Sequence, residues 1–193
     1  MLLYVAEKNA ERPVIALSEV PVDLSNGEQR QPEHLARNAF GKLPVLETDD
    51  GTILTESLAI IEYLEELHPA PPMLGTTPLE RAQRRALDRV AELRVFFPLG
   101  RLVHVSPQGR APDPSIAEHY RSHLPIGLSW LERQLSDERP FLGGARPSVA
   151  DCTLAAVLAF AARRGISVLD DYARLATWNE KYRERPWIAP LLE

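Results

Sequence analysis

The sequence predicts a small α/β domain followed by an all-helical one. Three observations carry this. The first seventy residues alternate short β-branched runs with helical ones. Pro69-Ala70-Pro71-Pro72-Met73-Leu74-Gly75 then interrupts every periodic pattern, as a linker does. Beyond it the apolar spacing is helical throughout, and the helices carry their own start signals. The boundaries read from this are a first domain over 1–70, a linker over 71–76 and a helical domain over 77–193.

In the first domain, Leu2 to Val5 reads as a strand and Val20 to Leu24 as a second, with Pro21 suiting an edge or a strand start. Glu28 to Arg37 is polar and reads at most as a short helix. Leu43 to Glu47 and Thr52 to Thr55 form a hairpin across Asp49-Asp50-Gly51. Ser57 to His68 is a helix with Leu58, Ile61, Tyr63-Leu64 and Leu67 in an apolar stripe. Thirteen residues separate Val5 from Glu19, close to the roughly 10–12 that a parallel crossover needs. The first crossover is therefore expected to be short.

In the second domain, Thr77-Pro78-Leu79-Glu80 is a helix start with a capping box. That helix runs to about His104, and Pro98 should kink it. Gln108 to Pro114 is a loop. Ser115 to Leu135 is a helix containing Pro125. Pro140 to Pro147 is a second loop. Ser148 caps the next helix, with Asp151 in the position of the box acid. Cys152 to Arg163 is apolar almost all round, which marks a buried helix, and Gly165 ends it. Asp171 to Arg185 is the last long helix.

Bulk properties exclude some function classes. The chain has 193 residues, 45% apolar and 25% charged, with net charge −5. That balance argues against binding nucleic acid through its phosphates. No apolar run reaches the roughly 18–20 residues of a membrane span, and the acidic start does not read as a signal peptide. A single cysteine allows no internal disulfide and suits a reducing, cytoplasmic compartment. Residues 1–72 hold five basic and thirteen acidic groups, net −8, against seventeen and fourteen, net +3, in the remainder. Two complementary surfaces would divide charge in this way.

The chemistry gathers at Leu43-Pro44 and Glu56-Ser57. Proline before a short strand is a candidate cis peptide. Such a bond would turn the main chain of Leu43 outward, toward a peptide-like ligand. Ser57 opens a helix, where free N–H groups and the positive helix end attract an anion. One edge would hold a peptide backbone and the neighbouring helix end a carboxylate, as γ-glutamyl-cysteinyl-glycine requires.

The wording N-A-F-G-K-L-P-V-L-E, G-T-I-L-T-E-S-L-A-I-I-E-Y-L-E-E-L-H-P and G-G-A-R-P-S-V-A-D-C-T-L-A resembles the cytosolic, bacterial-type glutathione S-transferases over most of the chain. The resemblance implies a thioredoxin-like domain and a helical domain, with glutathione as co-substrate and no metal. Leu43 and Pro44 would bind its cysteinyl part, Glu56 and Ser57 its γ-glutamyl end, and Lys42 its glycine carboxylate. Phe97, Arg101 and His104 would face the acceptor cavity. The partners implied are a small electrophilic molecule and a second copy of the chain, with no nucleic acid or membrane. The Ser148–Asp151 pair would be a structural cap.

The resemblance breaks after the expected first strand. There the family places a Tyr, Ser or Cys that activates the glutathione sulfur, whereas Ala6 to Arg12 contains none. Asn9 is the neutral donor in that stretch and the candidate partner of a thiolate. The alternative is a catalytically silent binding or regulatory protein of the same fold. Cys152 reads as a core thiol. His119 and His123 have a metal-compatible spacing but no third ligand in pattern.

Overall fold

The computed structural model describes residues 1–107 and 109–193. They divide into two compact units, Met1–Pro71 and Pro72–Glu193. In the first unit the order is α1 (Leu2–Asn9), a 3₁₀ turn (Glu28–Arg30), α2 (Pro32–Arg37), β1 (Val45–Glu47), β2 (Ile53–Thr55) and α3 (Ser57–Leu67). The second unit holds α4 (Pro78–Val90), a π-helical stretch (Ala91–Phe96), α5 (Phe97–Val105), α6 (Pro114–Gln134), α7 (Val149–Ala162), α8 (Ala173–Arg183) and α9 (Ala189–Leu192). Gln108, the first residue of the expected 108–114 loop, lies outside the described residues.

The expected strand at Leu2–Val5 is corrected to a helix. Leu3, Tyr4, Glu7 and Lys8 are its buried residues, the i, i+4 spacing of one helical face. What holds that face is polar. The Tyr4 hydroxyl donates to Glu65 at 2.8 Å, and the Lys8 ammonium meets the same carboxylate at 3.0 Å. Lys8 also donates to the main-chain oxygens of Pro71, at 2.8 Å, and of His68. A cation thus covers carbonyls just past the end of α3, where the helix dipole favours positive charge. Local β propensity at Leu2–Val5 yields to this docking.

The expected strand at Val20–Leu24 is also corrected. Residues 13–23 carry no strand or helix assignment. The described sheet is a two-stranded antiparallel ribbon with Val45 opposite Thr55, Leu46 opposite Leu54 and Glu47 opposite Ile53. A parallel crossover, short or otherwise, is therefore absent among the described residues.

In the second unit the helix starts form as read. Glu80 N–H donates to the Thr77 hydroxyl at 3.2 Å, and the Glu80 carboxylate accepts from Thr77 N–H at 3.3 Å. The Thr76 hydroxyl and N–H also bond that carboxylate and, with Thr77, hold its pKa down to about 2. Asp151 does more than close the Ser148 box. Its carboxylate accepts from the N–H groups of Leu142 (2.8 Å), Gly143 (3.2 Å) and Ser148 (2.8 Å), the Ser148 hydroxyl (2.8 Å) and Trp178 Nε1 (2.9 Å). Burial pushes this carboxyl up, and the Ser148, Leu142 and Trp178 donors oppose the shift. One acid so joins the 142–143 loop, the start of α7 and the face of α8.

Just before Pro98, where the sequence suggests a kink, the helix turns π-helical, and Phe97 N–H reaches the Glu92 carbonyl, five residues back. α6 crosses this stretch at Gly127. A Cβ there would lie 2.7 Å from Arg94 Cβ and 2.8 Å from its carbonyl oxygen, so glycine sets the close approach. Pro125 sits inside an unbroken α6. Cys152 is buried 3.5 Å from the Tyr182 hydroxyl. Among the described residues no helix is long and apolar enough to cross a membrane.

Lys8→Met should lower unfolding free energy by about 3–5 kcal/mol, because it strands the Glu65 charge in the core. The double variant Lys8→Met/Glu65→Leu should recover most of that loss in chemical denaturation. A double variant as unstable as Lys8→Met would contradict this reading of the pair.

Candidate functional site

The ribbon positions the site. Val45 pairs with Thr55 at one end, so the chain immediately before β1 and the chain immediately after β2 leave from the same place. Before β1 comes Lys42-Leu43-Pro44, and after β2 comes Glu56-Ser57. Five residues that lie in two groups more than ten positions apart in sequence are thereby gathered at one end of a hairpin.

On the first side, the Leu43–Pro44 bond is cis. Leu43 is 44% exposed, and its main-chain N–H and C=O have no partner among the described residues. An unpaired N–H and C=O on one residue offer the two bonds that an extended peptide needs from a neighbouring strand. Lys42 is exposed.

The loop that presents them is built from below. The Lys42 carbonyl accepts from Asn38 Nδ2 at 3.0 Å and lies 3.0 Å from His34 Nε2. Asn38 Oδ1 accepts from Phe40 N–H at 3.1 Å, and its carbonyl from Gly41 N–H at 2.9 Å. Both His34 and Asn38 are buried. Gly41 has φ +58°, and a Cβ there would stand 2.7 Å from the Gln29 carbonyl oxygen. Glycine is needed at this position on both counts. His34 and Asn38 were not singled out by sequence; the one available signal was the N-x-x-G-K turn before the strand.

On the second side, Glu56 holds φ +67° and ψ 117°, a conformation that L residues rarely adopt. Such backbone strain costs about 1–3 kcal/mol and persists where the surroundings impose it, often at ligand sites. Glu56 is the N-cap of α3, yet its side chain makes no capping bond. The first N–H groups of α3 are left uncapped, with the Ser57 hydroxyl beside them. Uncapped amides and the positive helix end make an anion site.

Asn9 stands differently. It ends α1 rather than following a strand. Its Nδ2 donates to the Ile15 carbonyl at 2.8 Å, and its Oδ1 accepts from Val14 N–H at 2.8 Å and Ile15 N–H at 2.9 Å. The carboxamide is a clamp on the 9–15 loop. In the second unit, Phe97, Arg101 and His104 lie on one face of α5, all exposed. The Arg101 guanidinium sits 5.3 Å from the Phe97 ring centroid, within cation–π range. His119 and His123 are exposed on α6, with His123 Nδ1 2.6 Å from the His119 carbonyl. Among the described residues no three His, Cys, Asp or Glu side chains cluster as metal ligands would.

The chain is similar to known proteins. Residues 8–72 match the family model for the glutathione S-transferase N-terminal domain, and residues 79–180 match that for the C-terminal domain. The chain is 33% identical over 197 residues to glutathione S-transferase 2 of Saccharomyces cerevisiae, covering 99% of this chain and 83% of that one. It is 34% identical over 160 residues to maleylacetoacetate isomerase of Pseudomonas aeruginosa, covering 81% and 74%. The crystal structure of Gtt2 from Saccharomyces cerevisiae superposes with a TM-score of 0.85 at 31% identity, covering 98% of this chain and 94% of that one. The chain belongs to the glutathione S-transferase family. Its fold is that family's thioredoxin-like unit followed by an all-α unit, and glutathione is the family's substrate.

Asn9→Ala should lower thermal stability, since it leaves two buried-side N–H groups and a carbonyl without their partner, at about 1–3 kcal/mol. Its glutathione affinity should match that of the parent chain. An affinity loss of tenfold or more at unchanged stability would return Asn9 to the ligand site.

Proposed function

We propose that the chain binds glutathione at the Lys42–Pro44 and Glu56–Ser57 end of the ribbon and presents its sulfur to small electrophilic molecules. The observation that carries this is the exposed main chain of Leu43, without a partner among the described residues, opposite an uncapped helix start across the hairpin register.

The Leu43 N–H and C=O pair with the cysteinyl main chain, with Pro44 fixing the direction of the loop. The α3 amides and the Ser57 hydroxyl hold the γ-glutamyl carboxylate. The Glu56 carboxylate accepts from the α-ammonium beside it, and Lys42 meets the glycine carboxylate. A tripeptide tied at three points has its one free atom, the sulfur, in a set position. The nucleophile is the thiolate, and a free thiol has a pKa of about 8.5. In the reaction its lone pair forms a carbon–sulfur bond. A leaving group departs with its bonding pair, or the acceptor's π electrons shift away from the attacked carbon and are then protonated. Phe97, Arg101 and His104 provide an aromatic face, a cation and a proton-transferring imidazole for such an acceptor.

The setting proposed is cytoplasmic, as one cysteine and a thiol co-substrate suit a reducing compartment. The chain acts as a homodimer in which the net −8 and net +3 portions of two copies attract.

Calorimetric titration with glutathione, paired with turnover of a reactive aryl halide, tests the reading. Binding with turnover is expected. Ser57→Ala and Glu56→Ala should each weaken binding by about tenfold or more, as loss of a charge-assisted hydrogen bond does. Binding without turnover would instead assign the chain the silent, glutathione-holding role. No binding at millimolar glutathione would overturn both.

A further inference from the structure

His119 and His123 belong neither to the glutathione site nor to the Phe97–Arg101–His104 face. Both are exposed on α6. Four residues apart, they stand one above the other on one side of the helix. Their ring centres are 4.4 Å apart, with the planes tilted by 49°. An ion about 2.0–2.1 Å from two imidazole nitrogens lies about 3.2 Å from each ring centre, and at about 90° it holds those centres about 4.5 Å apart. The two rings therefore already stand at the separation that one shared ion requires.

The hydrogen bonding of His123 points the same way. Its Nδ1 lies 2.6 Å from the His119 carbonyl oxygen. That oxygen can only accept, so Nδ1 carries the proton and Nε2 carries the lone pair. The Ser122 hydroxyl donates to the same carbonyl at 2.8 Å. The hydrogen bonds of His123 among the described residues are made through Nδ1, which leaves Nε2 open. A ring N–H given to a main-chain carbonyl is the usual support of a metal-binding histidine. It fixes the ring and raises the basicity of the other nitrogen. Arg121, two residues from each histidine, falls on another face of the helix and does not oppose a cation there.

We propose that His119 and His123 together bind one divalent transition-metal ion, Cu²⁺ ahead of Ni²⁺ and Zn²⁺, through two imidazole nitrogens. Imidazole suits these ions, and affinity along the series rises to copper. Adjacent positions at about 90° also fit the tetragonal geometry of Cu²⁺ and Ni²⁺. No third His, Cys, Asp or Glu among the described residues completes a metal cluster, so water fills the other positions and the ion is exchangeable.

Cu²⁺ titrated into the untagged full chain tests this, with electron paramagnetic resonance counting the imidazole nitrogens on the ion. One Cu²⁺ per chain bearing two imidazoles is expected. His119→Ala and His123→Ala should each weaken binding by about tenfold or more and leave a single imidazole on the ion. His104→Ala should change neither affinity nor signal. The double variant Arg121→His/His123→Ala keeps the number of histidines but sets the pair two residues apart, on different faces, and should bind as weakly as His123→Ala. A single-imidazole signal in the parent chain would overturn the proposal. So would affinity that survives His119→Ala or His123→Ala, affinity lost in His104→Ala, or a double variant that binds as tightly as the parent.

Discussion

The pairing of Val45 with Thr55 is the constraint on which the site depends. A strand's side chains and main-chain groups alternate with a period of two. A slip of one residue would turn Leu43 away from the helix start and carry Glu56 to the other face. In register, the last residues before β1 and the first after β2 stand together. A peptide-like surface and an anion-binding helix end then occupy one edge. No residue of the proposed glutathione site has to come from outside the hairpin and its two flanks, because the hairpin delivers both halves.

Two buried polar arrangements keep that edge in place. Below the loop, His34 and Asn38 converge on the Lys42 carbonyl. They fix the residue just before Leu43, so the Leu43 main chain is presented without secondary structure of its own. At the far end of α3, Lys8 and Tyr4 converge on Glu65, and Lys8 covers the carbonyls of His68 and Pro71. The same helix whose uncapped start forms part of the proposed site is thus anchored by its end. Buried ion pairs add little net stability but are costly to break. Here the pair joins α1 to α3. The strained Glu56 backbone lies in sequence between these two anchors.

Much of this is legible in the sequence, for identifiable reasons. The hairpin shows because Asp49-Asp50-Gly51 is a turn signal between β-branched runs. Thr77–Glu80 and Ser148–Asp151 show because a capping box is a local pattern with a local cause. The Pro69–Gly75 break shows because proline cannot continue a helix. What misleads is Leu2–Val5, where strand-like residues form a helix. Its face is settled by Glu65 and by carbonyls sixty residues away, and no window of sequence contains those partners. In the same stretch the Asn9 carboxamide closes a loop on Val14 and Ile15, partners that the sequence does not announce. His34 and Asn38 are missed because their partner is a main-chain oxygen. The π-helical stretch before Pro98 is missed because a change from four-residue to five-residue bonding leaves no mark on composition.

The most direct measurement is an amide chemical-shift map of the isotope-labelled chain during titration with glutathione. The largest shifts should fall on the amides of Leu43, Glu56, Ser57 and Leu58, with smaller ones at Lys42 and Asn38 and little change at Asn9. Saturable binding that leaves Leu43 and Ser57 unmoved would contradict a site built by the hairpin register.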